Sequence, residues 1–313
     1  MLKLGIIGTG IMGANHARVA AAHPAFDLVA VVDPQLERAQ TLADRFDATA
    51  YSSLDECIGQ LDCAIVATPT EYHFATATQL LEAGVHTLVE KPITTTVDEA
   101  DELIALAANR GLVLTVGHVE RFNPAVLELP NLVKDPIHIT ANRVSPYSPR
   151  VTVGVVLDLM VHDLDIVAQL AGSTPVSVKS STQTVRSDSE DLATALITFA
   201  NGVTATVTAS RIGQQKIREI TITQAENYIA VDLLRQDVTL HRVDHSEFLS
   251  SEGARYRQTG VVEIPFLEHR GEPLGLEHDD FAAAINDGRA PRVTGQQGAA
   301  ALALALRVVE AAG

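Results

Sequence analysis

The chain has 313 residues, enough for two domains of ordinary size and a core that closes without disulfide or metal staples. Hydrophobic residues make up 46% and charged residues 20%, a balance too apolar for disorder. Lys plus Arg total 23 against 39 for Asp plus Glu, and the resulting charge of −16 argues against a nucleic-acid or anionic-membrane partner.

Two hydrophobic periods alternate over the first 120 residues. Leu2–Ile7 predicts a strand and Ile11–Ala22 a helix. Phe26–Val32 is apolar again and ends at Asp33-Pro34. Leu36–Phe46 has helical spacing, Asp62–Thr68 is a buried-strand candidate, and Tyr72–Ala83 is a helix that stops at Gly84. Val85–Glu90 reads as a strand that stops at Lys91-Pro92. Thr96–Arg110 reads as a helix with acidic first turns, and Leu112–Val116 as the next strand. This alternation predicts an α/β, doubly wound parallel sheet covered on both faces.

The pattern changes near Gly117. Phe122–Pro130 is a short segment bounded by prolines, Ile137–Val144 a strand, and Val155–Leu170 a single helix ending at Gly172. Strands then dominate from Val176 to Phe266. Asn201-Gly202 between Leu192–Phe199 and Val203–Ser210 is a strong hairpin signal. Ile217–Thr223, Tyr228–Leu234 and Val238–Val243 continue the antiparallel run, and helices return at Leu276–Asn286 and Gly295–Ala312. The expected division is residues 1–120, a Rossmann-type α/β domain, and residues 121–313, an α+β domain with a large, mostly antiparallel open-faced sheet.

Cys57 and Cys63 are the only cysteines, too few for a disulfide framework or a Cys-rich zinc site, so no metal is expected and a reducing cytoplasm fits. The amino terminus lacks the pattern of a signal peptide, and no apolar run reaches the roughly 20 residues that span a bilayer.

Four motifs carry chemistry. Gly8-Thr9-Gly10-Ile11-Met12-Gly13 follows a predicted strand and opens a predicted helix, the context that gives G-x-G-x-x-G its meaning. Gly8 permits the tight turn, Gly10 lets backbone approach a pyrophosphate, and Gly13 allows close helix–strand packing. Asp33 stands 20 residues after Gly13, where an acid accepts hydrogen bonds from the adenosine ribose. A carboxylate there repels a 2′-phosphate, which favours NAD over NADP. Thr68-Pro69, followed by His73, stands at the next strand end, where ligands of open α/β sheets bind. Glu90-Lys91-Pro92 ends another strand, and Lys91 suits a substrate hydroxyl or a developing alkoxide. A surface salt bridge before a loop is an equal reading of that lysine on spacing alone. Asp158 and His162 are four residues apart and share one face of a regular helix; Asp165 joins that face and Asp163 turns away. A His with a carboxylate neighbour is suited to general-base work near neutrality. With no third ligand at metal spacing, zinc is disfavoured.

These motifs, in this order, resemble the Gfo/Idh/MocA family of NAD(P)-dependent oxidoreductases across essentially the whole chain. The resemblance implies that Lys91, Asp158 and His162 are catalytic, and that Glu90 and Thr68 contact the nicotinamide side of the cofactor. It also implies a sugar, polyol or nucleotide-sugar substrate and homodimers or homotetramers formed through the open face of the C-terminal sheet. Gly117-His118-Val119-Glu120-Arg121-Phe122-Asn123-Pro124, taken with the Asp158–His162 helix, resembles the subgroup containing UDP-N-acetylglucosamine 3-dehydrogenases. In that light His118, Arg121 and Asn123 become candidate substrate contacts. Arg121 meets a diphosphate or orders a loop, and Asn123 binds a sugar hydroxyl or caps the helix at Pro124. Two other functions fit the same fold: an NAD-dependent glycosidase with transient oxidation, and a non-enzymatic NAD sensor.

Overall fold

A computed structural model describes residues 1–148, 153–250 and 253–313. It divides into two compact units, residues 1–122 with 271–303, and residues 123–270 with 304–313.

The first unit holds six parallel strands: β1 (Leu2–Ile7), β2 (Phe26–Val32), β3 (Thr49–Tyr51), β4 (Cys63–Val66), β5 (His86–Glu90) and β6 (Leu114–Gly117). Their order is β3-β2-β1-β4-β5-β6, so the chain reverses direction across the sheet between β1 and β4. Helices α1 (Ile11–Ala22), α2 (Leu36–Ala43), α3 (His73–Glu82) and α4 (Val97–Arg110) connect them. The strands are apolar on both faces because helices cover both; Leu4, Ile6, Val31, Ile65 and Leu88 are all buried. Helix α4 starts with a reciprocal capping box between Thr96 and Glu99 and ends at Gly111, whose φ of 66° suits glycine.

The predicted boundary at residue 120 differs from the division seen here in one respect. Residues 271–303 return to the first unit. Phe281 and Ala282 of α7 (Pro273–Asp287) belong to the same buried cluster as Leu4, Phe26, Leu28 and Leu42. Burying a phenylalanine contributes roughly 1.5–3 kcal/mol, so a contiguous cut would expose a real part of this core.

The second unit contains α5 (Pro124–Leu132), α6 (Val161–Ala171) and the strands β7 (His138–Val144), β8 (Pro175–Gln183), β9 (Leu192–Phe199), β10 (Thr204–Ser210), β11 (Ile217–Thr223), β12 (Tyr228–Asp232), β13 (Asp237–Ser250) and β14 (Gly253–Glu263). The last helix, α8 (Gly295–Glu310), ends in this unit. The sheet order is β14-β13-β12-β11-β7-β10-β9-β8, antiparallel throughout except for the parallel pair β7–β10. Burial alternates along β9, where Ala193, Ala195, Ile197 and Phe199 are buried and Leu196 is exposed. That period of two is the signature of a sheet with one covered face.

One buried ion pair fixes the start of α6. The Arg143 guanidinium on β7 donates from Nε and one Nη to the two carboxylate oxygens of Asp163, at 2.7 and 2.8 Å. Both side chains are almost fully buried, so the paired geometry is what makes their charges tolerable. Asp163→Ala is expected to lower the unfolding free energy by about 3–5 kcal/mol, because the buried Arg143 charge loses its bidentate carboxylate. Urea denaturation measures it, and a loss below about 1 kcal/mol, the scale of a surface pair, would refute that weight.

Candidate active site

The site in the first unit is built from strand ends. Gly8 follows β1 with φ +98°, and a Cβ there would lie 2.6 Å from the carbonyl oxygen of Ala67. Only glycine lets this turn lie against the end of β4. At Gly13 a Cβ would sit 1.9 Å from the Gly8 carbonyl oxygen, whereas Gly10 faces open space. Helix α1 has no acidic residue in its first turn and no side-chain cap at Gly10. Its first amides are therefore left to an anion, which is the requirement for cradling a pyrophosphate.

Asp33 follows β2 and is ordered by the same turn. Its Oδ2 accepts from the Thr9 amide at 3.2 Å and the Thr9 hydroxyl at 2.5 Å, and its Oδ1 accepts from the Gln35 amide at 3.0 Å. Burial pushes the Asp33 carboxyl up, but these hydrogen bonds and the Arg38 charge outweigh it, and the net direction is down. Asp33 is held as a carboxylate with lone pairs remaining for ribose hydroxyls. It lines a hollow of about 460 Å³ with Arg38, Ser53, Leu54 and Tyr72. Asp33→Ala is expected to weaken NAD binding and to narrow the preference for NAD over NADP. Fluorescence titration of both dinucleotides checks this, and an unchanged preference would sink it.

A second hollow of about 390 Å³ adjoins the first and gathers Gly8, Gly10, Ile11, Met12, Asp33, Thr68, Pro69, His73, Glu90 and Lys91. Ten of the sequence-derived positions thus meet on one cleft, while Gly13 packs beneath it. Thr68 Oγ1 is buried with no hydrogen-bond partner among the described residues. An orphaned hydroxyl beside open glycine backbone is what a cofactor amide or phosphate would satisfy, so the residues fit a dinucleotide. His73, on the same cleft, also stands between two backbone carbonyls. Its Nδ1 lies 2.8 Å from the Pro92 carbonyl oxygen and its Nε2 2.9 Å from that of Thr68. The ring sits between two strand-end loops, and burial draws its pKa down, so the neutral imidazole donates to one of the two carbonyls.

Glu90 closes β5 and is buried. Its Oε1 accepts from His16 Nε2 at 2.9 Å, and its Oε2 accepts from the Lys91 amide at 3.1 Å. Burial alone would raise this carboxyl; the His16 hydrogen bond and charge, with Lys91, carry it below its ordinary value. Gly117 on β6 leaves room for it, since a Cβ there would stand 3.0 Å from the Glu90 carboxyl carbon. Lys91 is half-buried and precedes Pro92 across a cis peptide.

His118 and Arg121 follow β6, His118 buried and Arg121 half-buried. In the second unit, Asn123 acts as a helix cap: its Oδ1 accepts from the Ala125 amide and its Nδ2 donates to the Leu233 carbonyl. With Pro124 at the first helical position, this is the capping alternative of the two sequence readings. Asp158 and His162 are both half-buried. The single helix expected over Val155–Leu170 is divided: Val156–Met160 winds as a π turn, in which the Val161 amide reaches back to the Val156 carbonyl, and α6 follows. Asp158 lies in the π turn and His162 in the first turn of α6. Such wide turns are frequent at functional sites.

Sequence reasoning passed over His16, Glu277 and His278, which are buried; His16 is hydrogen-bonded to Glu90, and His278 to His16. His16 stands three residues after Gly13 and four before Ala20 on the buried face of α1. A histidine on an otherwise apolar stripe was the signal available. Among the described residues no group of three or more His, Cys, Asp or Glu could hold a metal ion, and no helix is long and apolar enough to cross a membrane.

Comparisons with known proteins agree with this geometry. The profile described as the oxidoreductase family with an NAD-binding Rossmann fold matches residues 2–118, and that of the Gfo/Idh/MocA C-terminal domain matches residues 135–227. UDP-N-acetylglucosamine 3-dehydrogenase of Acidithiobacillus ferrooxidans is 34% identical over 309 residues, 98% of this chain and 96% of that protein. Its solved structure superposes with a TM-score of 0.89 over 99% of this chain and 97% of its own. The NAD(+)-dependent scyllo-inositol 2-dehydrogenase of Bacillus subtilis is 26% identical over 94% of this chain and 89% of its own length. With both domain profiles matched and a dinucleotide cleft formed from the residues they cover, the chain belongs to the Gfo/Idh/MocA family, as an NAD-dependent oxidoreductase.

Proposed function

We propose that the chain is a dehydrogenase acting on a CH–OH group of a nucleotide sugar, with a UDP-linked N-acetylated hexose as the first candidate. The observation that carries this reading is the 34% identity to a UDP-N-acetylglucosamine 3-dehydrogenase along nearly the full length of both chains. The presence together of Lys91, Asp158 and His162 supports catalysis over sensing, because a sensor has no need of all three.

Gly8, Gly10, Asp33 and Thr68 hold the cofactor, which supplies the hydride acceptor when bound. His162 takes the proton of the reacting hydroxyl as general base. Asp158 orients that hydroxyl or the imidazole. Lys91 places an ammonium where negative charge develops on the alcohol oxygen, and a fixed charge there needs no rearrangement during the reaction. Arg121 is assigned to the diphosphate of the substrate, and His118 to the loop that carries it. Self-association through the open face of the eight-stranded sheet belongs to the same reading, with exposed Leu196 and Val243 in its support; light scattering reads it directly. A cytoplasmic placement is supported by the free, buried thiols of Cys57 and Cys63.

The test is a screen of NAD and NADP reduction at the nicotinamide absorbance band against UDP-sugars, free sugars and inositols. Fastest reduction of NAD with a UDP-N-acetylhexose is expected. Turnover with inositols and none with any UDP-sugar would overturn the substrate class.

A further inference from the structure

A hydrogen-bonded chain of buried side chains runs inward from the cofactor cleft. Glu90 lines the cleft, His16 Nε2 lies 2.9 Å from its Oε1, and His278 Nε2 lies 2.9 Å from His16 Nδ1. The two imidazoles are stacked within 5° of parallel. His16 and His278 are fully buried, and Glu277 beside them on α7 is 1% exposed. All four residues belong to the first unit.

The charges in this cluster are determined by its surroundings. An ionised Glu90 only accepts, so His16 Nε2 carries a proton toward it. Burial, then the charges of His16, His23 and Arg18, holds the His278 imidazole well below its ordinary value, so it is neutral. Burial, then the charges of Glu90 and Asp280, raises Glu277 well above the carboxylate range, so it stays protonated. Neither Glu277 oxygen has a hydrogen-bond partner among the described residues, as suits a neutral acid better than an anion. Of two buried carboxyls, the negative charge is confined to the one that faces the cleft.

The position of that charge matters for a dinucleotide. Asp33, after β2, marks the adenosine side of the sheet reversal, so β4 and β5 lie toward the nicotinamide side. Glu90 ends β5. The oxidised nicotinamide ring carries a positive charge that the reduced ring lacks. A fixed anion near it would favour the oxidised form, and Lys91 on the same cleft opposes this, so the balance depends on Glu90 remaining ionised.

We propose that His16, backed by His278, is a positioning residue that keeps Glu90 ionised and aimed at the cleft, and thereby sets the preference for oxidised over reduced cofactor. The proposal rests on the dehydrogenase reading only for its place in catalysis; cofactor binding alone tests it. NAD and NADH affinities are measured by titration without substrate for wild type, His16→Asn, His16→Gln and Glu90→Gln. The shorter Asn amide falls short of Glu90, and the NAD-to-NADH affinity ratio is expected to drop about tenfold, the scale of a hydrogen bond to a charged group. That change equals about 30 mV in the potential of the bound couple. Gln, whose amide keeps a donor at reach, restores most of the ratio. Glu90→Gln, which removes the charge but not the shape, lowers it as His16→Asn does. A wild-type ratio in Glu90→Gln overturns the proposal, and so does an equal loss of both affinities in His16→Asn. Should His16→Asn fail to fold, Glu90→Gln decides alone. A substrate screen without turnover leaves these titrations untouched, so the two readings fail separately.

Discussion

His162→Ala is expected to lower the rate of alcohol oxidation by a factor of roughly 10²–10⁴, the usual contribution of a positioned acid–base group. His162 is half-buried in the first turn of α6, after the π turn that holds Asp158. The variant loses the acceptor for the hydroxyl proton but keeps every residue of the dinucleotide cleft, all of which lie in the first unit. NAD affinity should therefore be unchanged. The residual rate should climb as pH rises, because solvent hydroxide then takes the proton in place of the imidazole. Initial rates across pH, with NAD titrations alongside, measure both effects. Turnover within about threefold of wild type, well short of the contribution of such a group, would remove His162 from the chemistry.

Lys91→Ala comes second in expected size, with turnover falling by roughly 10²–10³ as for loss of one preorganised donor to an oxyanion. The Lys91 amide bonded to Glu90 belongs to the main chain and survives the substitution. NAD binding should then persist and the urea midpoint should stay close to wild type. Lys91→Arg should not rescue the rate, since a planar guanidinium replaces a compact ammonium. If Lys91→Ala instead unfolds at markedly lower urea, the side chain is structural and its assigned role fails.

Much of the first unit was legible because two independent signals coincide there. Glycines at 8, 10 and 13 fall between a strand and a helix; Gly8 and Gly13 have a steric reason visible in the structure, and Gly10 faces open space. The strand ends that carry Thr68 and Glu90 were readable from short, continuous apolar runs bounded by Pro69 and Pro92. The hairpin at Asn201-Gly202 was equally plain, and β9 pairs with β10 as its spacing required. Three features were hidden for physical reasons. The strand β3 has only three residues, too few to show a period. Over five residues a π turn and an α turn place side chains almost alike, so Val156–Met160 read as ordinary helix. The membership of α7 in the first core depends on Phe281 meeting residues some 250 positions earlier, and no local pattern encodes such a partner.

The site divided in the same way. Asp33 was found from its distance to Gly13, but its partner Thr9 was seen only as the filler of a glycine motif. Asn123 offered two readings, and its hydrogen bonds to Ala125 and Leu233 match the capping one. The roles of Lys91, Asp158 and His162 rest on resemblance and chemistry and await the rate measurements above.

The return of residues 271–303 to the first unit has a consequence for biosynthesis. The core built by residues 1–122 lacks Phe281 and Ala282 until the segment 123–270 has been made. At roughly 5–20 residues per second, translating the intervening segment 123–270 takes about 7–30 s. Throughout that interval the nascent Rossmann sheet leaves the ribosome with part of one face uncovered. The second unit reaches a folding-competent length while the first is still waiting for its last helix. Closure of the cofactor-binding unit thus waits until the intervening segment of the second unit has been made.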